Sequence, residues 1–107
     1  VNWFRKDREG NFLWPGFSEN MRVLEWIFDR IRGQAKGHEA TLGWVPRYNE
    51  LNFEGLDFTK EQYDRLMGVS HEEFRQELLS EVDLYLRLYD NLPKEFIFQR
   101  ELLAGRI

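Results

Sequence analysis

Apolar residues recur at helical spacing in three stretches of this chain and lose that period in two others. Val23, Leu24, Ile27, Phe28 and Ile31 fall on one side of a 3.6-residue turn, which predicts a helix presenting one apolar face. Ser18 or Asn20 can cap its start and Glu19 brings negative charge there. Gly33 stands where a C′ glycine would stop it. Further on, Thr59 and Gln62 have capping-box spacing, with Phe58 and Tyr63 at the staple positions around them. Ser70 and Glu73 repeat the box, with Val69 and Phe74 as staple. The helix they start carries the stripe Phe74, Leu78, Val82, Tyr85, Leu86 and Tyr89 and should end near Asn91. Pro93 can then serve as N1 of a last helix, with Phe96, Ile97, Leu102 and Leu103 available for packing and Gly105 near its end.

The two aperiodic stretches read differently. Over the first seventeen residues short apolar runs, Val1 to Phe4 and Phe12 to Trp14, flank the turn-like Lys6-Asp7-Arg8-Glu9-Gly10-Asn11. A hairpin or a pair of extended arms, closed by Pro15-Gly16, is expected. From Gln34 to Asp57 the chain is punctuated by Gly37, Gly43, Pro46 and Gly55. So long a connection is unusual in a compact domain, and Trp44 and Phe53 are expected to pin it to neighbouring structure. The fold class is therefore mainly α: four helices behind an irregular aromatic N-terminal arm.

Composition narrows the function. The 107 residues suit a single domain, with 42% hydrophobic residues and enough aromatics for a core. At 32% charged, with no apolar run near the roughly 20 residues of a bilayer crossing, no membrane span is expected. The net charge of −4 is spread along the chain, without the basic stripe of a duplex nucleic-acid binder. There are no cysteines and only two histidines, His38 and His71, which excludes disulfides and leaves little for a transition-metal site. The N-terminal Val1-Asn2-Trp3-Phe4-Arg5-Lys6 is too polar for a signal peptide, and the chain reads as a segment of something longer. Neither a P-loop nor a G-x-G-x-x-G motif occurs. Carboxylate pairs such as Glu72-Glu73 sit at predicted helix starts, where the helix dipole explains them.

What remains is the arm. Trp3, Phe4, Phe12, Trp14 and Phe17 put five aromatics into fifteen positions, mostly outside any helical period. They are either anchors holding a loop to a core or the walls of a slot for a flat ring. Stacking a base on an aromatic contributes roughly 1–3 kcal/mol. Asn20, three residues after Phe17, offers both a donor and an acceptor to a base edge.

The strings Val1-Asn2-Trp3-Phe4-Arg5-Lys6-Asp7 and Phe12-Leu13-Trp14-Pro15-Gly16-Phe17-Ser18-Glu19-Asn20 closely resemble the guanine-binding region of GTP-dependent phosphoenolpyruvate carboxykinases. Arg22 to Arg30 continues the resemblance, and Gly43-Trp44-Val45-Pro46 and Leu51 to Leu56 extend it more loosely. It implies that residues 1–107 are the C-terminal segment of such an enzyme, a fragment of a larger α/β fold. Residues 1–20 would form the guanine-binding loop and 21–107 a helical cap. It also implies the activity of the whole: oxaloacetate and GTP become phosphoenolpyruvate, GDP and carbon dioxide, in the cytoplasm, with Mn²⁺ and Mg²⁺. The metals, the phosphate-binding loop and the catalytic lysine would lie in the upstream lobe, so this segment alone should be inactive. Position by position, Trp3, Phe4, Phe12 and Phe17 would line the guanine pocket and Asn20 would contact the base edge. The family pattern has Gly where this chain has Ser18, which matters only if that position needs positive φ. The alternative is a non-catalytic helical module whose exposed aromatics dock a partner protein.

Overall fold

The structure, a computed structural model, describes residues 1–107 and contains α1 (Asn20–Ile31), β1 (His38–Ala40), β2 (Gly43–Val45), α2 (Lys60–Met67), α3 (His71–Leu88) and α4 (Lys94–Arg106). Short 3-10 turns occupy Phe17–Glu19, Tyr48–Glu50 and Tyr89–Asn91. The chain is mainly helical, as its periodicity predicts. It divides into two compact units, Val1–Ala40 with Trp44–Gly68, and Thr41–Gly43 with Val69–Ile107.

The core of the first unit is one cluster of Trp14, Val23, Leu51, Phe58, Tyr63 and Leu66, with Trp3, Leu13, Trp26, Tyr48, Phe53, Leu56 and Met67 packed against it. Much of it is aromatic. Phe53 lies at 5.2 Å from both Tyr48, which it stacks on, and Phe58, and meets Tyr63 edge-on at 6.1 Å. The staple pair Phe58 and Tyr63 is thus buried with Phe53 packed against both. Two phenol hydroxyls bond backbone to this cluster: Tyr48 donates to the Phe58 carbonyl at 2.5 Å and Tyr63 to that of Pro46. These bonds hold down the connection between β2 and α2, whose regular structure is limited to the 3-10 turn at Tyr48–Glu50.

The start of α1 departs from expectation. Neither Ser18 nor Asn20 caps it: the N-cap position is Glu19, with no side-chain cap bond, and the chain enters through the 3-10 turn at Phe17–Glu19. That turn already occupies the backbone leading into the helix, and Asn20 turns its side chain to Trp14 instead. Ser18 carries no strain, because no residue other than glycine has positive φ; the left-handed conformation falls on Gly16, at φ 133°. At the other end Gly33, at φ 74°, is the expected stop. Its N–H bonds the Arg30 carbonyl and that of Gln34 the Asp29 carbonyl, the two bonds of a Schellman motif. The predicted face of α1 is covered only near its start: Val23 is buried, while Ile27, Phe28 and Ile31 are exposed and Trp26 joins the core instead.

Gln34 to Asp57 contains a two-stranded sheet, β1 with β2, which three-residue strands without alternating apolar positions do not announce. Phe53 is pinned on the core as expected. Trp44 is not: it is exposed, with the Arg30 guanidinium 5.5 Å over its ring.

α2 starts with the predicted box, both reciprocal bonds between Thr59 and Gln62 being present. At α3 only half forms, with the Ser70 hydroxyl accepting from the Glu73 N–H. In the second unit Arg100 ties α4 to α3, donating to the Leu78 carbonyl at 2.6 Å with its guanidinium over Tyr85. Pro93 is the N-cap rather than N1 of α4; its ψ of 138° keeps it extended. The stripe on α3 is buried at Leu78 but largely exposed at Leu86 and Tyr89.

Candidate functional site

The arm is a narrow hairpin. Lys6 and Phe12 form an antiparallel bridge, flanked by bonds from the Asp7 N–H to the Asn11 carbonyl and from the Leu13 N–H to the Arg5 carbonyl. Its tip is organised by Asp7, whose carboxylate accepts from the backbone N–H groups of Asn11 at 2.8 Å and Glu9 at 3.0 Å. The Asn11 bond is the main reason the Asp7 carboxyl titrates below its usual range. Arg5 secures the base of the hairpin, donating to the Leu66 carbonyl at 3.0 Å and to that of Gly68. Both carbonyls lie at the C-terminal end of α2, where a cation also meets the negative end of the helix dipole.

The five aromatics of the arm separate into two groups. Trp14 is buried at 3% exposure, edge-on to Phe58 at 6.1 Å, and Trp3 packs against the same core. The Trp3 Nε1 is buried without a hydrogen-bond partner. Phe4, Phe12 and Phe17 are instead 78%, 58% and 90% exposed. Anchoring the arm therefore uses the tryptophans and Leu13, and leaves the three phenylalanines free.

These three rings are not equivalent. The Lys6 ammonium lies 4.9 Å over the Phe12 ring, which occupies one face of it by a cation–π contact. Phe17 starts the 3-10 turn, and the Asn20 N–H closes that turn on the Phe17 carbonyl. With three residues per turn, backbone positions 17 and 20 lie on one side of that turn. The Asn20 Oδ1 accepts from Trp14 Nε1 at 2.7 Å. Lys6 and the Trp14–Asn20 bond escape a reading of aromatic spacing. The only signal for the second is a donor-only indole within six residues of an amide.

No group of three or more His, Asp or Glu side chains that could hold a metal ion is present. No helix is long and apolar enough to cross a membrane.

Comparison with known proteins gives a consistent picture. Residues 1–106 match the family described as phosphoenolpyruvate carboxykinase C-terminal P-loop domain. A phosphoenolpyruvate carboxykinase [GTP] of Anaeromyxobacter dehalogenans is 43% identical over 107 residues, covering 100% of this chain and 18% of that protein. One from Treponema pallidum is 41% identical over 108 residues, again 100% and 18%. The cytosolic phosphoenolpyruvate carboxykinase [GTP] of Gallus gallus is 41% identical over 104 residues, 97% of this chain and 16% of its own length. The chain thus spans less than a fifth of the relatives it matches.

Proposed function

This chain belongs to the GTP-dependent phosphoenolpyruvate carboxykinase family, and from that premise we propose that it supplies the guanine pocket of such an enzyme. The complete protein would convert oxaloacetate and GTP to phosphoenolpyruvate, GDP and carbon dioxide, in the cytoplasm. Its Mn²⁺ and Mg²⁺ would be bound by the upstream lobe, the partner of this segment, and the segment alone would be inactive. Residues 1–20 act as the guanine-binding loop and 21–107 as a helical cap.

One observation carries the reading: the arm is anchored by Trp3, Leu13 and Trp14 while Phe4, Phe12 and Phe17 stay exposed on it. Three free rings on a fifteen-residue loop are costly in water and useful to a flat ligand. Phe17 is the ring best placed to stack, being the most exposed of the three and opening the turn that the Asn20 N–H closes. Phe12, with one face under Lys6, offers its other face or its edge. Trp3 closes the pocket floor, and Asn20 reads the base edge. Stacking by itself contributes roughly 1–3 kcal/mol per base, and millimolar affinity corresponds to about 4 kcal/mol, so the isolated segment should bind GTP weakly.

The test is Phe17→Ala in the complete enzyme. The Michaelis constant for GTP should rise by roughly 5- to 150-fold, the equivalent of one lost stack, with that for oxaloacetate unchanged. An unaltered constant for GTP would place the base elsewhere.

A further inference from the structure

We propose that Trp14 is a positioning residue for nucleotide specificity: its indole N–H holds the Asn20 amide with the oxygen inward and the NH₂ outward, so that the pocket selects a purine carrying a 6-carbonyl over one carrying a 6-amine. The inference rests on the guanine-pocket reading and adds to it how the edge-reading amide is oriented.

An asparagine amide is a two-faced reader. Turned one way it presents a donor, turned the other an acceptor, and the two forms have nearly the same shape. A free amide beside a purine would accommodate the 6-carbonyl of guanine in one state and the 6-amine of adenine in the other. Discrimination requires that one state be removed. Indole Nε1–H can only donate, so the atom of Asn20 it meets at 2.7 Å is the oxygen. Flipping the amide would oppose two donors beside a tryptophan that is only 3% exposed, where an unmade hydrogen bond is not replaced by water.

The indole itself has little freedom to follow a flip. Its ring is held edge-on against Phe58 at 6.1 Å inside the core cluster. Asn20 is fixed at the backbone too, its N–H being bonded to the Phe17 carbonyl. With Oδ1 committed to Trp14, covalent geometry sends Nδ2 to the opposite side of the amide, and Nδ2 is not among the buried side-chain atoms lacking a partner. The outward group is a donor, which fits O6 of guanine or hypoxanthine and opposes the 6-amine of adenine.

Trp14→Phe in the complete enzyme keeps an aromatic ring in the core and removes the oriented N–H, together with part of the indole's volume, whose loss acts on every nucleotide alike. Dissociation constants for GTP, ITP and ATP are measured by displacement of a fluorescent guanine nucleotide. The ratio of ATP to GTP constants should fall roughly tenfold, about the worth of one oriented hydrogen bond, while the ratio of ITP to GTP stays fixed because both carry the 6-carbonyl. A purely structural role for Trp14 would weaken all three by one common factor, and that result overturns the inference. Should Trp14→Phe fail to fold, Asn20→Asp decides. It keeps an acceptor for the indole and turns a second acceptor outward, so GTP and ITP should weaken while ATP does not. Equal weakening of all three again overturns the inference. A failure of the guanine-pocket reading looks different, since Phe17→Ala would then leave the GTP constant unchanged.

Discussion

Arg5 Nη1 donates to the carbonyl of Leu66 across 3.0 Å, joining residues 61 positions apart. Together with its bond to the Gly68 carbonyl, this contact fixes the base of the hairpin on the end of α2. Arg5→Met keeps much of the aliphatic stem and removes the donors. A loss of about 1 kcal/mol is expected, since the bonds are charge-assisted but partly solvated. A urea titration would register it. The Leu13 amide, bonded to the Arg5 carbonyl, should exchange with solvent faster in the variant, and an unchanged exchange rate would deny Arg5 this role.

The two capping boxes should differ in energy. Thr59 makes both reciprocal bonds with Gln62, whereas Ser70 makes only the bond from the Glu73 N–H. Thr59→Ala should cost about 1 kcal/mol and Ser70→Ala less, each within the usual range of N-cap replacements. Thermal unfolding of the two variants side by side checks the order.

Glycine is required at position 16 and not at 18. Gly16 lies at φ 133° with open space where a Cβ would stand, so its constraint is torsional rather than steric. Gly16→Ala should destabilise by roughly 1–3 kcal/mol. Ser18→Gly should bring no gain, because Ser18 has no positive φ to relieve, and a more flexible unfolded chain should cost a few tenths of a kcal/mol. A stabilising Ser18→Gly would show that this turn is strained after all.

Alkaline pH should weaken the first unit through Tyr63. Burial pushes its phenol up to about 12 from the ordinary 10. The folded chain therefore keeps this proton where the unfolded chain has begun to lose it. Its contribution is intact below pH 10 and is lost as pH rises toward about 12. Tyr63→Phe lacks both this titration and the bond to the Pro46 carbonyl. The stability gap between the two proteins should accordingly narrow over that interval in denaturant titrations.

Features that obey local rules are legible in the sequence. The Thr59 box and the Gly33 stop each depend on neighbours within a turn, and the local pattern reports them. The start of α1 was not legible, because a 3-10 turn satisfies the same backbone groups a Ser18 or Asn20 cap would have satisfied. Which side of α1 is buried escaped for another reason. Ile27 and Trp26 are both apolar and adjacent, and only the position of the aromatic cluster selects Trp26. In the candidate site, family resemblance picked out Trp3, Phe4, Phe12, Phe17 and Asn20 as a set. Their division into anchors and free rings depends on the core cluster around Phe58, more than forty positions away, which spacing along the arm cannot report.

The second unit carries Leu79, Leu86, Tyr89, Phe98 and Leu102, each more than half exposed, and this bears on the behaviour of the chain in a test tube. Apolar surface of that extent favours self-association, and a net charge of −4 opposes it only weakly. Sedimentation of this segment alone should therefore depend on its concentration, and added salt, by screening the remaining repulsion, should drive it toward clumping.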